Sequence, residues 1–176
     1  HLAALQSIAP VLSLPFYIRG EPPLEKALAA LHSLAARIGY EAAAVLAETR
    51  ALSALDDGRS RLAAFADRPT YLVNIGDSRH VRIFGSDSMF GDILVRLGFR
   101  NAWPDRSRFT FAAPVPIENL AVEKDARIVI VSDIPVEARS RLHSSMIWNA
   151  LEPVSQGRVL QLPNIAPYGG VTAGMR

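Results

Sequence analysis

The chain of 176 residues has no cysteine. Disulfides, cysteine-ligated zinc, iron–sulfur clusters and thiol nucleophiles are therefore excluded, and the redox compartment is left unread. No run reaches the ~18 consecutive apolar residues of a membrane-spanning helix. The first residues, His1-Leu2-Ala3-Ala4-Leu5-Gln6, lack the basic start and apolar stretch of a secretory leader, and no initiator methionine precedes them. A mature secreted chain and an excised fragment both fit that start. An excess of one charge is also lacking: Lys+Arg 19 against Asp+Glu 17 leaves +2, with the arginines scattered, so no nucleic-acid partner is expected. Only four histidines occur, none three or four residues from another and none in a His-Glu-x-x-His pattern, so no metal site is expected. What the chain does have is 49% hydrophobic and 20% charged residues, enough to bury a core as one large domain or two small ones.

Prolines 10, 15, 22 and 23 and Gly20 punctuate the start, with Val11-Leu12-Ser13-Leu14 and Phe16-Tyr17-Ile18 between them. This reads as a strand fragment and a loop. From Leu24 the apolar spacing turns helical through Ile38, with Pro22 and Pro23 before it and Gly39 after it. A second helix is predicted from Glu41 to Phe65, with Val45, Leu52, Leu55, Leu62 and Phe65 on one narrow face. It would span roughly 37 Å. Gly58 interrupts it at about 1 kcal/mol relative to alanine. Two readings stand for this rod: a spine between lobes, or an ordinary core helix.

After Pro69 the pattern alternates. Strands are predicted at Tyr71–Ile75, Val81–Phe84, Arg127–Val131 and Arg158–Leu162, and helices at Ser88–Leu97 and, whole or broken, Pro135–Ala150. The fold class is α/β, with a mostly parallel sheet flanked by helices.

Gly76-Asp77-Ser78 follows a strand, where a serine hydrolase can place its nucleophile. That chemistry needs a base, and the residue three before His143 is Ser140 rather than an aspartate. A turn between strands is the simpler reading. Gly169-Gly170-Val171-Thr172-Ala173-Gly174 lacks the Lys-Ser/Thr of a phosphate loop and reads as a turn. Phe84 to Leu120 is more informative: strand, helix, then a long loop carrying Trp103, Arg106, Arg108, Phe109, Thr110 and Phe111. Aromatic and arginine side chains on such a loop suit a grip on a bulky polar ligand, or a lid packed on the core.

These residues resemble a family. Phe84-Gly85-x-x-Ser88-x-Phe90, Ile93-Leu94, Gly98-x-x-Asn101-Ala102-Trp103, Pro116-Ile117-Glu118-Asn119-Leu120-Ala121 and Leu162-Pro163 with Tyr168-Gly169 occur in the order found in periplasmic substrate-binding proteins of ABC transporters, of the ferric-hydroxamate siderophore type. The resemblance covers essentially the whole chain. It implies the C-terminal lobe of a two-lobed protein, with residues 1–40 a remnant of the N-terminal lobe, 41–66 the interlobe spine helix and 67–176 the C-terminal α/β lobe. It implies a binder of a ferric siderophore rather than an enzyme. The iron would be held by the siderophore, with no cofactor or metal ligand from the protein. The partner would be an ABC permease in the inner membrane, and the location periplasmic. Trp103, Arg106, Arg108, Thr110 and Tyr168 fall at ligand-facing positions, and Glu118 at the position that docks on permease arginines. Thr110, Ala166 and Pro167 stand where the hydroxamate binders carry aromatics. Haem, cobalamin and ferric citrate are the alternative chelates. Outside the family, a Gly-Asp-Ser serine hydrolase and a stand-alone α/β interaction module are the other readings.

Overall fold

The computed structural model describes residues 2–103 and 114–165. A short helix α1 (Leu2–Gln6) is followed by irregular chain up to Pro23. The strand expected within residues 11–18 does not form. Prolines 10 and 15 break the segment into apolar runs of four residues or fewer, too short to pair without neighbours. Phe16 and Tyr17 instead lie partly buried with ring centroids 4.7 Å apart.

Helix α2 (Leu24–Ile38) ends on Gly39 at φ +74°, a left-handed C-cap that an L-residue adopts only with strain. Helix α3 (Glu41–Leu62) tightens into a 3-10 turn over Ala63–Phe65. Its length matches the expectation, but its packed face does not. The buried seam is Ala44, Ala51 and Leu55, while Val45, Leu52, Leu62 and Phe65 are each at least a third exposed. Alanines let α3 approach α2 closely, and that approach selects the seam over the bulkier apolar stripe. Across the pair His32 Nε2 meets Glu48 Oε2 at 2.7 Å.

The sheet has five strands in the order β3-β2-β1-β4-β5: β1 (Thr70–Ile75), β2 (His80–Ile83), β3 (Val115–Pro116), β4 (Arg127–Ile130) and β5 (Val159–Gln161). β1–β4 and β4–β5 are parallel, while β1–β2 and β2–β3 are antiparallel. The sheet is therefore mixed, with half its pairings parallel rather than most. The turn at Gly76–Arg79 is too short for a crossover, so β2 returns beside β1 as a hairpin. Helix α4 (Met89–Arg96) follows β2. A 3-10 helix (Ile117–Ala121) follows β3, and α5 (Val136–His143), α6 (Met146–Ala150) and α7 (Glu152–Ser155) lie between β4 and β5.

Strand alternation sorts the core onto two faces. Tyr71, Val73, Ile75, Ile128 and Ile130 pack with Leu142, Trp148 and Leu151 on one side. Leu72, Val129 and Val131 pack with Phe84, Phe90 and Leu94 on the other. A third cluster joins α2, α3 and α4 through Leu24, Leu28, Leu55, Met89 and Ile93. Helix α4 thus serves two cores, with Phe90 and Leu94 toward the sheet and Met89 and Ile93 toward α2 and α3.

Gly58 faces α4. A methyl group there would stand 3.0 Å from Leu97 Cδ2, the end of a flexible side chain. The gain in helix propensity, about 1 kcal/mol, is opposed by the crowding. Gly58→Ala is therefore expected to shift stability by less than about 1 kcal/mol in a urea melt, because the two effects offset.

Candidate functional site

The site is built outward from the start of α4. Ser88 caps that helix: its Oγ donates to Gly85 O at 2.6 Å and accepts from Gly91 N at 3.1 Å. Phe84 and Phe90 meet edge to face at 5.0 Å. Downstream, Asn101 bridges two segments. Its Nδ2 donates to Phe84 O at 3.0 Å, and its Oδ1 accepts from Trp103 N at 2.9 Å. Ala102 N donates to Thr70 O and Thr70 N donates to Arg100 O, so the segment ending at Trp103 runs beside the start of β1. Trp103 is partly buried against the Tyr71 cluster, and its indole N–H is buried without a partner among the described residues.

Of the residues singled out from sequence, the structure places Trp103 and Glu118. Arg106, Arg108, Thr110 and Tyr168 lie outside the described residues, as do Ala166, Pro167 and the glycines from 169 to 174. Glu118 is exposed in the first turn of the 3-10 helix. Ile117 N donates to Arg79 O at 2.9 Å, so Glu118 stands beside the β1–β2 turn.

Gly76-Asp77-Ser78 forms that turn. Asp77 Oδ1 accepts from Arg79 N at 2.7 Å and from His80 N at 2.8 Å, and Asp77 Oδ2 lies 3.2 Å from His80 Nδ1. The Arg79 amide first, then His80, hold the Asp77 carboxyl below its ordinary range. The carboxylate is thus committed to closing the turn. A depressed folded pKa stabilises the turn above the unfolded value of about 3.9 and loses that contribution as pH falls through the lower folded value. In an NMR titration the Arg79 and His80 amide shifts are expected to move with a midpoint below about 3.9, and Asp77→Asn to abolish the movement.

At the carboxyl ends of the parallel strands, where open α/β sheets receive ligands, Ser132 is buried with its hydroxyl unpartnered among the described residues, and its carbonyl accepts from Gln161 Nε2 at 3.2 Å. The other feature of size is a cavity of about 760 Å³ on the Leu72 face of the sheet, lined by Leu62, Phe65, Val129, Leu160 and Ile165 among others. Of the predicted site residues that the structure describes, neither Trp103 nor Glu118 lines it. Among the described residues no group of three His, Asp or Glu is placed to hold a metal, and no helix is long and apolar enough to cross a membrane.

A mixed sheet flanked by helices is the α/β fold of solved substrate-binding proteins, and comparison with known proteins gives the family. The chain belongs to the periplasmic binding protein family, whose model matches residues 3–166. It is 30% identical over 159 residues to the iron(3+)-hydroxamate-binding protein FhuD of Escherichia coli K12, covering 89% of this chain and 53% of that protein. The crystal structure of the Fe3+-Desferal-bound siderophore-binding protein FhuD from Vibrio cholerae matches 99% of this chain and 66% of its own length, with a TM-score of 0.86 at 20% identity. Staphylococcus aureus SirA complexed with staphyloferrin B matches 99% of this chain and 63% of its own length, with a TM-score of 0.66 at 18% identity. The chain therefore spans about half to two-thirds of the length of these relatives.

Sequence reasoning missed Asp87 and Asp92, both buried. The signal was available. Asp92 interrupts Met89-Phe90-Gly91-Asp92-Ile93-Leu94, so a charge sits within an otherwise apolar helix start.

Proposed function

We propose that this chain is the larger part of a periplasmic protein that binds a ferric siderophore and delivers it to an inner-membrane ABC importer. The observation that carries the reading is the 30% identity over 159 residues to an iron(3+)-hydroxamate-binding protein. In this reading α3 links the two lobes, and residues 67–176 form one wall of the cleft. The siderophore's own oxygens hold the iron. The protein contributes shape, stacking and charge, so it performs no bond-making chemistry. Trp103 gives an aromatic surface, Thr110 and Tyr168 give hydroxyl groups, and Arg106 and Arg108 give positive charge that favours an anionic chelate. Glu118 is the docking carboxylate for the permease. A long, stiff link limits lobe closure, so binding moves the lobes little.

Titration of the full-length gene product with ferric hydroxamate, catecholate and citrate chelates, read by tryptophan fluorescence, tests the reading. Saturable quenching by one class is expected, weakened at least about tenfold by Trp103→Ala, as loss of a buried aromatic anchor requires. Glu118→Arg is expected to leave that affinity intact and to abolish iron uptake in cells. Haem and cobalamin arms of the same titration identify the alternative chelates. No saturable response to any of them removes the reading.

A further inference from the structure

Helix α2 begins on Pro23, which supplies no side-chain cap. The missing acceptor comes from 68 residues downstream. Asp92 Oδ2 accepts from Leu24 N at 2.8 Å, in a buried contact. Asp92 Oδ1 accepts from Arg96 Nε at 2.7 Å, and Arg96 NH2 reaches Glu25 Oε1 at 3.2 Å. Asp87, five residues earlier and 2% exposed, accepts from Gly20 N at 3.2 Å through Oδ2, while its Oδ1 has no partner among the described residues. Two buried carboxylates at the start of α4 therefore hold the chain that leads into α2. Burying a carboxylate is expensive unless it is paired, so this is a costly way to fasten one loop. It makes sense where an angle must be held. The α2–α3 arm meets the sheet lobe at this junction, through the Leu24 cluster, and again where Gly58 and Arg59 stand against Leu97 and Gly98 and where Arg127 NH1 donates to Phe65 O.

We propose that Asp92, seconded by Asp87, is a positioning residue: it supplies the cap α2 lacks and fixes the α2–α3 arm at one angle to the sheet, and so sets the width of the binding cleft. The purpose rests on the binding-protein reading above, whereas the geometry does not.

The absence of cysteine from the chain makes a distance measurement clean. Arg37→Cys on α2 and Arg141→Cys on α5, both exposed, carry a pair of spin labels. The parent chain is expected to give one narrow distance. Asp92→Ala is expected to broaden it and to speed exchange of the Leu24 amide at least about tenfold, because a local opening replaces a buried bond. Asp92→Asn keeps an oxygen for Leu24 N but turns a donor toward Arg96, so its effect should be smaller and in the same direction. In the full-length gene product Asp92→Asn is expected to weaken binding of Fe3+-Desferal, or of the chelate found by titration, about five- to tenfold. An unchanged distance and unchanged Leu24 exchange in folded Asp92→Ala overturn the proposal. Where that variant does not fold, the same result in Asp92→Asn overturns it. Broadened distances with unchanged chelate affinity overturn the role in the cleft. Failure of the unsubstituted full-length protein to bind any chelate overturns the functional reading, and the distances still decide whether Asp92 holds the arm.

Discussion

Gly91→Ala is expected to destabilise the chain by about 3–5 kcal/mol, at the top of the range for single substitutions. A methyl group at Gly91 would overlap the Gly85 carbonyl oxygen and stand 2.5 Å from its carbon and 3.1 Å from Asn101 Nδ2. The neighbours are backbone and a committed amide, so no side-chain rotation relieves the clash. Moving Gly85 breaks its bond from Ser88 Oγ, which caps α4. Moving Asn101 breaks its bonds to Phe84 O and Trp103 N. The gain in helix propensity, about 1 kcal/mol, is far smaller than these losses. Urea denaturation monitored by circular dichroism checks the value. A loss below about 1 kcal/mol, the range of ordinary substitutions, would show that the turn at Gly85 yields. The contrast with Gly58→Ala is the informative part. Both are helical glycines, and the closeness and identity of the neighbour separate a near-neutral change from a disabling one.

Several of the residues that carried the family resemblance, Phe84, Gly85, Ser88, Phe90 and Asn101, turn out to be scaffold. Phe84-Gly85-x-x-Ser88-x-Phe90 is a ring pair, a close backbone approach and a helix cap. Asn101 holds Trp103 in place rather than facing a ligand. These interactions are local, within about twenty residues in sequence, and so they leave a legible pattern. The helices starting at Leu24 and Glu41 and the strands at β1, β2, β4 and β5 were legible for the same reason, since periodicity and punctuation are local. What was not legible depends on partners far along the chain. The seam of α3 is chosen by alanines meeting α2, which no periodicity within α3 discloses. The missing strand in residues 11–18 fails for want of a neighbour. Asp92 earns its place through an amide 68 residues away. The candidate site was the least legible. Ligand-facing side chains obey no spacing rule, so Arg106, Arg108, Thr110 and Tyr168 rest on resemblance alone.

Leu24→Ala carries the second large effect, about 3 kcal/mol in the range for truncating a buried leucine. Its expected form is unusual. Leu24 is fully buried, yet its cluster is neither of the two cores of the sheet. It belongs to the junction at which α2, α3 and α4 meet. The sheet cores, with Tyr71, Ile128 and Trp148 on one face and Leu72, Phe90 and Val129 on the other, keep all their members when Leu24 is cut. The substitution should therefore release the arm before it unfolds the lobe. The stability lost should appear as faster amide exchange throughout α2, while β1 and β4 retain their protection, in the manner of a separate cooperative unit. Met89 and Ile93 would lose a neighbour on their side of α4, but Phe90 and Leu94 would not, so α4 itself should hold. Residue-resolved exchange separates the outcomes. Loss of protection spread evenly over α2 and the sheet would show that arm and lobe fold as one unit, and the junction would then be an ordinary part of a single core. Loss confined to α2 would place the division of the molecule at Leu24, where the buried Asp92 also holds its amide.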